Sequence, residues 1–233
     1  MTDSDSVSAV PVLTIDGPSG SGKGTIARRV AGRLGWHLLD SGALYRLTAL
    51  AAHTDGQAMP DDAQLTEIAA ALDVRFASDA AGDELIFLAG QDVTAEIRTE
   101  SCGALASAIA AIRPLREALL GLQRDFRRAP GLVADGRDMG TNIFPDAVLK
   151  VFLTASADER AKRRHKQLKD KGIDVSLPAL SRDIEQRDRR DSERSVAPLR
   201  PADDARVLDS SNLTIDQVTE QVIEWAHELN LGK

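Results

Sequence analysis

Gly17-Pro18-Ser19-Gly20-Ser21-Gly22-Lys23-Gly24-Thr25 follows the apolar run Val12-Leu13-Thr14-Ile15-Asp16 and precedes Ile26, Val30 and Leu34 at helical spacing. A strand, a glycine-rich turn and a helix in that order read as a phosphate-binding loop. Its glycines let backbone N–H groups point inward around a β-phosphate, the helix N-terminus adds a positive dipole, and Lys23 reaches the β and γ oxygens. The usual pattern has Ser or Thr straight after the lysine, where it ligates magnesium, but here Gly24 intervenes before Thr25.

Outward from this loop, strand and helix alternate. Short apolar runs, most of them ending in Asp, recur at Val12–Asp16, His37–Asp40, Leu132–Asp135, Val148–Leu153 and Arg206–Asp209, each followed by a stretch of helical character. That pattern predicts an α/β fold, a doubly wound parallel sheet covered by helices on both faces. A closing helix is marked by Ile215, Val218, Val222, Ala226 and Leu229 at three- and four-residue steps, with Thr214 as its N-cap.

Two stretches interrupt the alternation. Leu72–Phe76 and Leu85–Leu88 flank Ser78–Asp83, which predicts a small antiparallel hairpin with a minor core of its own. The segment Glu159–Arg194 holds 12 Lys or Arg against 8 Asp or Glu, in a chain whose net charge is −7. Its predicted helices put Arg160, Arg163 and Arg164 on one face and Arg187, Arg190 and Arg194 on another, with Lys169-Asp170-Lys171-Gly172 as the loop between. The expected division is a tail over 1–9, a core over 10–50, 104–158 and 198–230, an insert over 51–103 and the basic hairpin over 159–197.

Composition narrows the function. An acidic body with one basic segment attracts an anion to one place rather than coating a polyanion. The 22 arginines against 7 lysines suit phosphate, whose oxygens a guanidinium fork matches, although a GC-rich genome yields the same bias. At 233 residues and 42% hydrophobic, the chain buries one sizeable core, and with 3% aromatics an all-β sandwich is disfavoured. The single Cys102 makes no internal disulfide and reads as a small core residue, and His37, His53, His165 and His227 are scattered, so no metal site is expected from side chains. The tail lacks the basic flank and apolar stretch of a signal peptide, and the longest apolar run, Ala104–Ile112, is far short of a membrane span. A soluble cytoplasmic protein is expected. No repeat or low-complexity tract is present.

Two further segments carry chemistry. Asp40-Ser41-Gly42-Ala43-Leu44-Tyr45-Arg46 places a small hydroxyl and an arginine five residues apart at a strand-to-helix turn. Ligands of doubly wound sheets sit beyond the carboxyl ends of the strands, so Arg46 suits a second phosphate, while the same residues also suit a plain helix cap. Asp135-Gly136-Arg137-Asp138-Met139-Gly140 puts acid, base and acid on a glycine-flanked loop at the same sheet edge, with Asp135 similar to an acid that orders magnesium-bound water. An ordinary polar turn has the same composition.

The Gly24 variant of the phosphate loop resembles the nucleoside-monophosphate kinases, and the missing Asn-Lys-x-Asp signature counts against a switch GTPase. More closely, Ile15–Gly20, Leu39–Arg46, Ala134–Thr141, Arg187-Asp188, Val196–Leu199 and Leu208–Ser210 resemble the bacterial cytidylate kinases over residues 10 to 230. The resemblance implies an adenylate-kinase-like core, a nucleoside-monophosphate-binding insert at the hairpin, and an arginine-bearing lid over 159–197. It implies that Ser41, Arg46 and Arg137 hold the acceptor near its phosphate and ribose, that Ser107, Arg116, Asp138 and Arg194 read cytosine, and that Arg187 and Asp191 lie near the acceptor sugar and phosphate. Asp135 is counted with the substrate-binding residues. Arg160, Arg163 and Arg164 would face the donor, so that the catalytic set becomes Lys23, Arg137, Arg163, Arg164 and Arg187. The implied substrates are ATP with CMP or dCMP, with Mg²⁺ held mainly through nucleotide phosphates and water, and the implied partners are these small molecules, with no nucleic acid, no membrane and a monomeric chain.

A cytosine edge offers an amino donor beside acceptors N3 and O2. Asp138 can accept from the amino group, and Arg116 or Arg194 can donate to the acceptors; uracil reverses that edge. Ile112-Arg113-Pro114-Leu115-Arg116 departs from the family, which more often has its proline one residue earlier, and this makes Arg113 an added candidate. Two rival functions remain open at this point: a related kinase acting on UMP, AMP or another acceptor, and a nucleic-acid-binding protein. The second would need a wider basic surface and stacking aromatics, against two Trp and one Tyr here.

Overall fold

The computed structural model describes residues 10–53, 59–78, 84–170, 172 and 174–232. The acidic tail over 1–9, residues 79–83 of the hairpin turn and Lys171 of the basic loop lie outside them. In chain order the elements are β1 (Val12–Asp16), α1 (Lys23–Leu34), β2 (His37–Asp40), α2 (Ser41–Ala52), α3 (Asp62–Ala70), β3 (Val74–Ser78), β4 (Glu84–Leu88), β5 (Gln91–Asp92), α4 (Glu100–Ile109), α5 (Arg113–Arg124), β6 (Leu132–Gly136), β7 (Leu149–Thr154), α6 (Ala157–Asp170), α7 (Leu177–Ser192), β8 (Arg206–Asp209) and α8 (Ile215–Glu228).

By contacts the chain forms two compact units. The first takes residues up to Leu39, Arg124–Glu193 and Ala197 onward; the second takes Asp40–Gln123 and Arg194–Val196.

The first unit is built on a sheet of order β2-β6-β1-β7-β8. β1 pairs in parallel with β6, Val12 opposite Leu132 through Asp16 opposite Gly136, and with β7, whose other edge pairs in parallel with β8. Every residue of β1 is buried, as a central parallel strand requires. Leu13, Ile15, Val133, Leu149, Val151 and Leu153 of the sheet pack with Ile26, Val30 and Leu34 of α1 and Val218, Val222 and Ile223 of α8. Thr214 caps α8 in a reciprocal box with Gln217. The expected apolar stripe is shorter than its spacing suggested: Ile215 and Leu229, at its two ends, are 45% and 41% exposed.

One departure concerns β6. Instead of a helix, it is followed by a single π turn over Met139–Ile143. Pro145 has no N–H to extend that turn.

The second unit pairs α2 with α4 and adds α3, capped by an Asp61–Gln64 box, and an antiparallel sheet β3-β4-β5. The expected hairpin is present, Val74 opposite Leu88, and a third strand of two polar residues, β5, joins it with no apolar signal to announce it. Contacts divide the chain differently from the sequence boundaries. Residues 40–50 and 104–123, read as core, pack with the insert, because α2 buries Leu44, Leu47 and Thr48 in this unit. The hairpin over 159–197 belongs to the first unit, apart from Arg194–Val196.

Candidate active site

The phosphate loop turns out of β1 and into α1 at Gly22, the N-cap, whose φ of 90° is left-handed and open to glycine at no steric cost. Thr25 and Ile26 both donate their N–H groups back to Gly22 O at 3.1 Å. Lys23, the first residue of α1, folds its ammonium back to Pro18 O at 3.3 Å. Ser21 Oγ is buried with no hydrogen-bond partner among the described residues, and a phosphate oxygen is an acceptor that fits it. A side chain at Gly24 would meet Asp135 Oδ2 at 3.1 Å. The unusual glycine after the lysine is therefore the space in which Asp135 approaches the loop.

The acid-base-acid segment is held from β1. Asp16 accepts the N–H groups of Met139 and Gly140, each at 2.8 Å, at the start of the π turn. Asp138 is 4% exposed and accepts from Asn142 Nδ2 at 3.1 Å. Arg137 Nε pairs with Asp191 Oδ2 of α7 at 3.1 Å, and Asp191 is 1% exposed. Arg187, also on α7, is half-buried.

Asp16 was not among the residues expected from sequence. Its carboxyl is pushed up to about 6 by burial, which outweighs the two N–H bonds and Lys23, and nearby Asp138 adds to the rise. Its ordinary value is 3.8, so the native state binds the proton more tightly than the unfolded chain does. The stability this residue contributes is present in full below about pH 4 and is lost as the pH rises through about 6, on the order of 3 kcal/mol. Denaturant melts of the native chain and of Asp16→Asn should therefore diverge with pH, the native chain losing stability relative to the variant between about pH 4 and pH 7. A difference independent of pH would mean that Asp16 titrates as an exposed carboxyl does.

Each of the three arginines of α6 has protein partners. Arg160 is 4% exposed and bonded to protein acceptors. Arg163 donates to Ser210 O at 2.6 Å and lies 3.4 Å from Glu159, and Arg164 donates to Gln167 at 3.2 Å.

The second unit carries the other expected residues. Asp40 accepts from Ala43 N at 3.1 Å, so the capping alternative holds for that residue. Ser41 Oγ donates to Gln123 Oε1 at 2.8 Å, a fully buried amide that the sequence reading passed over. Its signal was a polar side chain in line with Leu115 and Leu119 on α5. Arg46 Nη1 donates to Ile97 O at 2.6 Å, and its guanidinium lies against Gly103, where an added side chain would meet it at 3.1 Å. Arg116 donates to Ala110 O at 3.1 Å and stands 5.7 Å over the Tyr45 ring. The added candidate, Arg113, begins α5 and is exposed, and Pro114 fits the first turn, where no N–H is required.

Arg194 lies beyond the end of α7 rather than on its face and donates to Ser107 O at 3.1 Å, so these two expected partners do meet. Asp138, assigned to the same group, belongs to the first unit. Cys102 is buried, its thiol pushed up by burial, consistent with a small core residue. Among the described residues no cluster of His, Cys, Asp and Glu is placed to hold a metal ion, and no helix is long and apolar enough to cross a membrane.

Comparison with known proteins bears on this arrangement. A solved structure of an uncharacterized protein from Eubacterium ventriosum aligns with a TM-score of 0.52 at 11% identity, covering 94% of this chain and 99% of that one, a likeness of fold alone. A cytidylate kinase of Cupriavidus pinatubonensis is 57% identical over 93% of this chain and 96% of its own length. One of Pseudomonas aeruginosa is 59% identical over 92% and 94%. The family model described as Cytidylate kinase matches residues 13–228, from β1 and the phosphate loop through to the last residue of α8, and on that match the chain belongs to the cytidylate kinase family.

Proposed function

We propose that the protein transfers the γ-phosphoryl group of ATP to CMP or dCMP, giving ADP and CDP or dCDP. The observation that carries this reading is the loop from Gly17 to Thr25, with Lys23 opening α1 and Asp135 against Gly24, in a chain of the cytidylate kinase family. An oxygen of the acceptor 5′-phosphate attacks the γ-phosphorus, the bond to the β,γ-bridging oxygen breaks, and ADP leaves with the electron pair. The attacking oxygen is already ionised near neutral pH, so no dedicated general base is required. The task is charge neutralisation and alignment, which suits Lys23 and arginines better than a histidine.

Lys23 and the N–H groups of the loop hold the donor phosphates. Thr25 and Asp135 are the residues that would hold the waters of Mg²⁺, which when bound neutralises phosphate charge. Arg137, Arg163, Arg164 and Arg187 are assigned to the transferring and acceptor phosphates, with Asp191 orienting Arg137. Ser41 and Arg46 are assigned to the acceptor phosphate and ribose, and Ser107, Arg116, Arg194 and Asp138 to the base. The reading needs only small molecules and one chain in the cytoplasm.

The test is ADP formation from ATP and Mg²⁺ with CMP, dCMP, UMP, AMP, GMP and dTMP offered separately. Preference for CMP and dCMP is expected, and preference for another acceptor would discard the base-reading residues while keeping the kinase. Within this assay, Asp138→Ala should narrow the ratio of kcat/KM for CMP over UMP by roughly tenfold or more, because a buried acceptor for the amino group is gone. An unchanged ratio would remove Asp138 from that role.

A further inference from the structure

Arg160 combines full charge with burial in the first unit, and a guanidinium survives there only if its donors are met and its charge is compensated. Nε donates to Ala155 O at 2.9 Å, in the turn between β7 and α6. Nη1 donates to Ser19 O of the phosphate loop at 2.9 Å and to Asp188 Oδ1 of α7 at 3.0 Å, and Nη2 donates to Asp188 Oδ2. Four of its five N–H donors thus go to protein acceptors on three separate segments. The carboxylate closes a two-pronged pair, the geometry that fixes a guanidinium plane most firmly. The neighbouring loop backbone also packs on this side chain: a Cβ at Gly20 would lie 3.3 Å from Arg160 Cβ.

This geometry differs from the expectation that Arg160 contacts the donor directly. Its planar fork is occupied as a strut behind the loop. We infer that Asp188 is a positioning residue: by holding the Arg160 guanidinium in one plane it fixes the Ser19–Gly20 segment of the phosphate loop, and thereby the grip on donor phosphates. The inference rests on the proposed function only in taking the loop's ligand to be ATP.

An amide at position 188 keeps the shape but removes the charge. It also turns a donor toward one Nη, so the fork swings and its bond to Ser19 O is lost. Asp188→Asn should weaken binding of ATP with Mg²⁺, measured by calorimetry without acceptor, by about ten- to hundredfold. In turnover, KM for ATP should rise by a similar factor, while KM for CMP stays within about twofold. Arg160→Lys, which retains charge but not the fork, should show the same selective loss, and the double variant should be little worse than either single one. Asp188→Glu should recover most of the ATP affinity.

Equal weakening toward ATP and CMP would reduce the pair to general fold support and overturn the inference, as would unchanged ATP affinity in Asp188→Asn. If that variant does not fold, Arg160→Lys and Asp188→Glu carry the same comparison, and ATP affinity unaltered in Arg160→Lys overturns it. Failure of the unmutated chain to bind ATP would instead overturn the donor-site reading, and this inference with it. Binding by the unmutated chain together with no effect of the substitutions would leave that reading standing and remove this one alone.

Discussion

Replacing Lys23 with alanine is expected to lower kcat for phosphoryl transfer by roughly 10²- to 10³-fold, the loss typical of removing one preorganised positive donor from a transferring group. Lys23 is the first residue of α1 and is half-buried, and its ammonium donates to Pro18 O. Its charge also acts on Asp16 of β1, favouring the ionised carboxyl, so a loss of catalysis is read against the fraction of folded protein. The check is ADP release at saturating ATP and CMP alongside a thermal melt. A kcat within tenfold of the unmutated chain would move the catalytic burden to the arginines of α6 and α7.

Gly17→Ala should act on the fold itself. A Cβ at this position would lie 2.1 Å from Leu153 O, well inside contact distance and against backbone rather than a yielding side-chain tip. Leu153 is fully buried in β7, and β7 is held on one side by β1 and on the other by β8. Relief therefore requires moving a central strand or swinging the start of the phosphate loop away from it. Overpacking of this severity costs about 3 kcal/mol, which lowers the melting midpoint of a chain of this size by roughly 6–12 °C. A midpoint within about 2 °C of the unmutated protein would show that the loop yields freely at its first residue, contrary to its packing.

These two residues were legible in different degrees. Lys23 as the residue that opens α1 follows from a local motif, since strand, glycines, lysine and helix are contiguous. The strands of the larger sheet were legible for the same reason: period and turn chemistry operate within a few residues, and β1, β2 and β8 have the boundaries their runs suggested. The cap of α8 was read correctly at Thr214, but the length of its buried stripe was not: Ile215 is the first residue of the helix and Leu229 its C-cap, and both are exposed.

The less legible part consists of groups whose partners are distant in the chain. Asp16 meets Gly140 across 124 residues, and Arg160 meets Ser19 across 141. Helical spacing put Arg160 beside Arg163 and Arg164 on one face, which is true of α6 in isolation and says nothing about the acceptors that α7 and the phosphate loop bring to it. Gln123 was hidden in an apolar stripe, and Arg194 was read onto a helix that stops before it.

By itself, the sequence determined the parallel α/β fold, the phosphate loop, the closing helix and the resemblance to one kinase family, all of them written in short-range periodicity and contiguous motifs. Tertiary structure alone decided which arginines are struts, which carboxylates are buried, and which loop each one holds, because pairing and desolvation depend on segments that only sheet register and packing bring together.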